Sequence, residues 1–195
     1  MTANAAAHSH IAIIGAGFGG IAVAIRLQHA GIDDFVVIDR AADVGGVWRD
    51  NTYPGAAVDI QCQLYSYSFA LNPQWQNLFA KQSEIHDYLH SVVRRFGLLP
   101  RLLLNCAVER LAWNDSEQLW QMQTTLGART ADHVVVATGA LAVPNNPEIP
   151  GTDRFAGALF HSSRWDHELD LTGKRVAVIG TGASAAQFIP ALQAT

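Results

Sequence analysis

Two glycine turns, Gly15-Ala-Gly-Phe-Gly-Gly20 and Gly180-Thr-Gly-Ala-Ser-Ala185, stand near opposite ends of this chain, each directly after an apolar run. The first follows His10-Ile-Ala-Ile-Ile14. A continuous apolar run ending in glycine marks a parallel strand buried on both faces. Gly17 to Ala30 then carries Ile21, Ala24, Ile25 and Leu27 as an apolar stripe, and Gly31 stands at a helix C′ position. Phe35-Val-Val-Ile38, closed by Asp39, is the second buried strand. Strand, glycine turn, helix and strand in this order predict an α/β fold of the Rossmann type.

The pattern Gly15-x-Gly17-x-x-Gly20 divides its work. Gly15 permits the tight turn, Gly17 lets backbone approach a pyrophosphate, and Gly20 allows close helix–strand packing. The helix that Phe18 enters would face phosphates with its N–H groups and its dipole. Asp39, about twenty residues on, lies where a carboxylate accepts hydrogen bonds from ribose hydroxyls. The second turn follows Lys174–Ile179, which reads as another buried strand, and opens a helix predicted to run from Gly182 to the last residue. Two such turns in one chain point to two dinucleotides, and their usual pairing, a flavin with a nicotinamide, points to a redox enzyme.

Residues 41–81 are rich in glycine, proline and aromatic residues and show little periodicity. Six aromatic residues from Trp48 to Trp75 favour an ordered, functional loop over a disordered one. Ser83 is the expected cap of a helix with Ile85, Tyr88, Leu89, Val92, Val93 and Phe96 on one stripe, ended by Gly97. Strands are expected over Leu102–Leu104, Ala107–Trp113, Leu119–Thr125 and His133–Ala137, the middle two forming a hairpin across Asn114-Asp115. Asp59, between Val58 and Ile60, reads equally well as a buried, perturbed carboxylate or as a surface turn acid. The first nine residues are expected to be disordered.

With 49% hydrophobic and 15% charged residues, the chain is globular. A net charge of −4 and no basic cluster beyond pairs such as Arg94-Arg95 argue against nucleic acid as a partner. No apolar run reaches the length of a membrane span, and residues 1–10 lack the pattern of a signal peptide. Cys62 and Cys106 have no metal-ligand spacing and read as buried thiols of a reducing compartment, so no metal is expected and the cytoplasm is the default location.

Three stretches together resemble the Baeyer–Villiger monooxygenases, class B flavoproteins. Gly45-Gly46-Val47-Trp48-Arg-Asp-Asn-Thr52-Tyr53-Pro54-Gly55-Ala-Ala-Val-Asp59 is similar to that family's second signature. Ala137-Thr138-Gly139 is similar to the turn that returns its chain to the flavin. Phe155-x-Gly157-x-x-x-His161-x-x-x-Trp165-Asp166 fits its fingerprint at every fixed position. The resemblance implies that FAD is held by the Gly15 turn, Asp39, Gly46, Val47, Trp48, Asp59, Tyr65, Thr138 and Gly139, with the backbone of Val108 at the adenine. The family more often carries glutamate where Asp39 stands.

The same resemblance implies NADPH bordered by Thr52, Tyr53 and Pro54, its pyrophosphate held by Gly180, Thr181, Gly182, Ser184, Ala185 and Gln187. Phe155, Gly157, His161, Trp165 and Asp166 would form a hinge and would not donate protons. It further implies oxygenation of a ketone by FAD, NADPH and O₂ to an ester or lactone in a dry pocket. Asp59 would orient an arginine of the family's NADPH domain; no arginine follows Arg175 in this sequence. The expected organisation is an incomplete FAD-binding domain over 10–150, a linker over 151–172 and the start of an NADPH-binding domain over 173–195. The chain thus reads as an N-terminal portion, with Ala186, Phe188, Ile189 and Leu192 left uncovered. Two other readings stand beside it: a flavin-dependent N- or S-oxygenase, and a non-catalytic FAD-binding remnant or a subunit completed by a second chain.

Overall fold

A computed structural model describes residues 6–193. The chain forms two compact units, Met1–Gly46 with Asp87–Ala142, and Val47–His86 with Val143–Thr195.

The first unit is built on a six-stranded sheet whose strands lie in the order Leu102–Leu103, Phe35–Ile38, Ala7–Ile14, Gly127–Val136, Leu119–Thr124 and Val108–Asn114. Strand β1 (Ala7–Ile14) lies inside it, parallel to β2 (Phe35–Ile38) and β6 (Gly127–Val136). Ile11, Ala12 and Ile13 are buried, as two-sided coverage of a parallel strand requires. Helix α1 (Phe18–His29) joins β1 to β2. It ends where Gly31 N–H bonds Gln28 C=O (3.0 Å) and Ile32 N–H bonds Leu27 C=O (2.9 Å), the paired closure of a Schellman motif. The β-α-β unit is therefore present as its sequence prescribes.

Strand β1 begins at Ala7, so disorder does not extend over Ala7–Ser9; residues 1–5 lie outside the described residues. The cause is pairing: Ala7, His8 and Ser9 align with Arg129, Thr130 and Ala131 of β6. Strand β6 is likewise longer than the apolar run His133–Ala137. Its polar first half, Gly127–Asp132, is drawn into the sheet by antiparallel pairing with β5 (Leu119–Thr124). β5 and β4 (Val108–Asn114) form the expected hairpin, and β3 (Leu102–Leu103) is a short strand beside β2.

Helix α3 covers Gln82–Arg95, with Ile85, Tyr88, Leu89, Val92 and Val93 buried along the expected stripe. Ser83 is not its cap but its second residue. Glu84, in the first turn, does the capping: its carboxylate accepts from Lys81 N–H at 2.9 Å, the returning half of a capping box. Desolvation raises the Glu84 carboxyl, but donation from Lys81 N–H, the Asn77 amide and Gln76 N–H outweighs it and holds the group below its ordinary value.

The second unit contains the aromatic loop and the second glycine turn. Residues 47–81 are largely irregular, with a one-turn helix α2 (Val47–Asp50), a 3-10 turn at Cys62–Leu64 and a bridge between Ala57 and Lys81. Helix α4 (Ala183–Gln193) follows the second turn and contains Pro190. Tyr53, Ala56, Ala185 and Phe188 form this unit's apolar cluster, with Trp165, Val178 and Leu192 packed against it. Phe188 and Leu192 are thus covered, contrary to expectation, while Ile189 and Ala186 are exposed.

Lys174–Ile179 is not a strand. Val176 and Ile179 are 48% and 68% exposed, and Val178 is the half-buried member, packed against the apolar cluster. An apolar run becomes a strand only when a neighbour takes its backbone hydrogen bonds, and no strand among the described residues pairs with this one.

Candidate functional site

The first glycine turn is fixed by backbone crowding. Gly15 has φ +112°, and a Cβ there would lie 2.4 Å from the Ala137 carbonyl oxygen. Gly15 N–H donates to Ile38 C=O and Ala137 N–H to Ile14 C=O, both at 2.8 Å, so β2 and the 137–139 turn converge on this residue. A Cβ at Gly20 would meet the Gly15 carbonyl oxygen at 1.8 Å, which confirms glycine's role in close strand–helix packing. Gly17 faces Gly46, whose Cα would be 3.6 Å from an added Cβ, and Gly45 N–H bonds Ala16 C=O at 2.9 Å. Gly17 is also the N-cap of α1, with no side-chain cap of its own. A small-residue cradle at an uncapped helix start suits an anionic group approached by backbone, so these residues fit a dinucleotide pyrophosphate.

Asp39 is 8% exposed at the end of β2. One carboxylate oxygen accepts from Ala16 N–H (2.8 Å) and the other from Ala41 N–H (2.9 Å). The acid therefore ties the strand end to the turn itself. The Phe18 ring stacks on Tyr88 with centroids 6.2 Å apart. Val108 opens β4 beside a bulge and packs against the sheet's apolar cluster; Thr138 and Gly139 are exposed just beyond β6.

In the second unit, Trp48 and Tyr65 meet edge to face at 5.4 Å, and Trp48 Nε1–H donates to the Tyr65 hydroxyl oxygen at 2.9 Å. Burial raises the Tyr65 pKa, the bond from Trp48 lowers it, and the negative charge of Asp59 raises it; the balance is upward. Of the two readings of Asp59, the surface one holds: the residue is exposed. Val58 turns inward, its N–H bonded to Ala80 C=O at 2.9 Å, and its neighbour Asp59 turns out.

The second glycine turn is open by contrast. Gly180 has φ +118°, yet neither it nor Gly182 has anything within 4 Å of an added Cβ. Thr181 is exposed, Ser184 half-buried and Ala185 buried. Gln187 is engaged elsewhere: its Oε1 accepts from the Tyr53 hydroxyl (2.9 Å) and from Ala57 N–H (3.5 Å), and its Nε2 donates to Ala57 C=O (2.8 Å). Thr52 Oγ1 lies 2.7 Å from His167 Nε2, and Pro54 is half-buried.

Each fixed residue of the fingerprint has a local task. The Phe155 ring covers Gly157, where a Cβ would lie 2.7 Å from its Cζ. His161 caps the 3-10 turn Ser162–Arg164, its Nδ1 accepting from Ser163 N–H at 3.1 Å. Trp165 packs on Phe188 at 5.3 Å, and Asp166 Oδ1 accepts from Glu168 N–H at 3.1 Å.

Two residues with a part in the site escaped sequence reasoning. Gln82 donates through Nε2 to the Trp48 carbonyl and through its backbone to Ala56 C=O, holding both ends of the signature loop. Gly55, at φ +81°, leaves 2.6 Å between an added Cβ and the Gln187 carbonyl oxygen. For Gly55 the signal was its place after Pro54 in an irregular loop; for Gln82 there was none, since a helix's first polar residue ordinarily faces water.

No helix among the described residues is long and apolar enough to cross a membrane. The pyridine nucleotide-disulphide oxidoreductase family matches residues 12–192. A Baeyer–Villiger monooxygenase of Streptomyces coelicolor is 53% identical over 186 residues, 95% of this chain and 36% of that protein. Among solved structures, cyclohexanone monooxygenase from Rhodococcus sp. Phi1 bound to NADP+ superposes with a TM-score of 0.88 at 37% identity, over 96% of this chain and 36% of its own. The OTEMO complex with FAD and NADP gives 0.88 at 34% identity, over 96% and 37%. The chain thus spans a little over a third of the proteins it matches, and the resemblance to Baeyer–Villiger monooxygenases extends over nearly all of it. By the match over residues 12–192, this chain belongs to the pyridine nucleotide-disulphide oxidoreductase family.

Proposed function

We propose that the chain serves an FAD- and NADPH-dependent monooxygenase that converts a ketone to an ester or lactone. The observation that carries the reading is the Gly15 turn, where three backbone segments crowd onto glycine and leave an uncapped helix start. FAD reduced by NADPH supplies the oxygen-activating chemistry when bound. In the first unit, Gly15, Gly17, Phe18 and Gly20 present backbone to its pyrophosphate, Asp39 takes ribose hydroxyls, Val108 borders the adenine, and Thr138 and Gly139 lie toward the flavin. Gly46, Val47 and Trp48 of the signature are further FAD contacts.

Tyr65 serves as a neutral phenol. It accepts from Trp48 Nε1–H, and burial raises its pKa further above neutrality. Asp59, exposed on the loop, suits pairing with an arginine. Gly180, Thr181, Gly182, Ser184 and Ala185 receive the NADPH pyrophosphate, with Thr52, Tyr53 and Pro54 toward the nicotinamide. The turn that His161 caps and Trp165 closes acts as a hinge, with His161 Nδ1 engaged as acceptor from Ser163 N–H. Trp165-Asp166 favours ketone oxygenation over N-oxygenation, because the N-oxygenating flavin monooxygenases carry a similar fingerprint with another aromatic residue where these two stand. Segments 10–150, 151–172 and 173–195 are the corresponding FAD-binding, linker and NADPH-binding parts.

The test is reconstitution. The purified chain, offered excess FAD and gel-filtered, is expected to retain a flavin absorbance band, and Gly17→Val to lose it. A wild-type chain that stays colourless would overturn the reading.

A further inference from the structure

We infer that Gln187 is a positioning residue: its amide latches the second nucleotide turn's helix to the signature loop, and the NADPH pyrophosphate is left to the backbone of residues 180–184. This rests on the proposed NADPH site at that turn.

The argument is one of hydrogen-bonding capacity. A glutamine amide offers one oxygen with two lone pairs and one nitrogen with two protons. Here the oxygen receives the Tyr53 hydroxyl at 2.9 Å and Ala57 N–H at 3.5 Å, and one nitrogen proton goes to Ala57 C=O at 2.8 Å. The amide thus treats Ala57 as a neighbouring strand would, donating to its carbonyl and accepting from its N–H. One proton of four bonding positions remains, too little for a main pyrophosphate ligand.

Everything around it serves the same junction. Ala57 is also bridged to Lys81, so the latch grips a loop point already held from its other side. Gly55, two residues earlier, runs so near the Gln187 carbonyl that no side chain fits between them. Tyr53, the residue whose hydroxyl is held, stacks edge-on against Phe188, the next residue of α4, at 5.9 Å. Helix α4 and segment Tyr53–Ala57 therefore move as one piece. A ligand ordering the 180–184 turn has its effect transmitted to Tyr53 through Gln187.

The discriminating experiment is a double-mutant cycle on the full chain with Gln187→Met, Tyr53→Phe and the pair, read by NADP+ titration calorimetry and by hydrogen exchange of the 53–58 segment. A latch predicts that Q187M weakens NADP+ binding roughly tenfold and that the same change costs much less in the Y53F background, since the shared bond is already gone. Exchange of 53–58 is expected to accelerate in Q187M without NADP+, and Gln187→Glu, which turns a donor toward Ala57 C=O into an acceptor, is not expected to rescue it. Additive losses of affinity would mean a direct pyrophosphate contact and overturn the inference, as would unchanged exchange in Q187M. If the wild-type chain binds no NADP+, the proposed site fails, and the exchange measurement still decides the latch.

Discussion

The two glycine turns carry nearly the same letters and live in opposite surroundings. At Gly15 and Gly20 the backbone is hemmed in by β2, the 137–139 turn and its own carbonyls, and an added methyl has nowhere to go. At Gly180 and Gly182 the same kind of turn stands in open space, behind an extended apolar segment that no strand among the described residues pairs. A glycine motif thus specifies a local path for the chain; whether that path is rigid depends on what packs behind it. The first turn is locked by the sheet. The second is held by side chains of its helix, Gln187 and Phe188, against the signature loop.

That contrast can be broken by adding one methyl at a time. Gly20→Ala is expected to have the largest effect, about 3 kcal/mol or more, because a Cβ 1.8 Å from the Gly15 carbonyl forces the helix off the strand. In the second turn, where an added Cβ meets nothing within 4 Å, Gly182→Ala should change stability by less than about 0.5 kcal/mol. Urea midpoints of the two variants measure the difference directly, and equal midpoints would erase the distinction between the turns. Gly55→Ala comes next, with a loss of about 2 kcal/mol from its left-handed φ and the Gln187 carbonyl at 2.6 Å. Accelerated hydrogen exchange over 53–58 is the signature to look for, and a silent variant would show that α4 does not hold this loop.

Glu84→Ala should cost under about 1 kcal/mol, the scale of one helix cap, and should loosen residues 76–81. Its pH dependence has a definite sign. The folded-state pKa is depressed, so the contribution is present above the unfolded-state value and fades as pH falls through the lower folded one. The smallest effect belongs to Asp132, which is held below its ordinary value first by the bond from His10 and further by the charges of His8 and His133. It follows the same acid-side sign, and an NMR titration of its carboxyl should show a midpoint that moves back toward normal in high salt.

Much of the first unit was legible because its signals are local. Apolar runs, a turn that only glycine can make and an acid at a strand end all act within about thirty residues, as in any βαβ unit. What sequence reasoning lost was decided by partners. Gly127–Asp132 carries few apolar residues and becomes strand because β5 accepts it. Lys174–Ile179 is rich in them and stays unpaired because no strand among the described residues takes its backbone hydrogen bonds. In the site, the aromatic residues of the signature were visible from composition, whereas the bonds that Gln82 and Gln187 make to the loop backbone were not. Their work is done on distant backbone carbonyls, which leave no trace in letter patterns.

The Phe155 ring resting over Gly157 bears on how such a motif should be counted. The two positions are a lid and the hollow it fills, so a change in either undoes the other, and they constitute a single test and not a pair of independent ones. A search that scores them separately overstates its own evidence. His161 and Trp165 in turn stand at the two ends of one 3-10 turn, Ser162–Arg164, so they too share a local structure, from which Trp165 reaches on to Phe188.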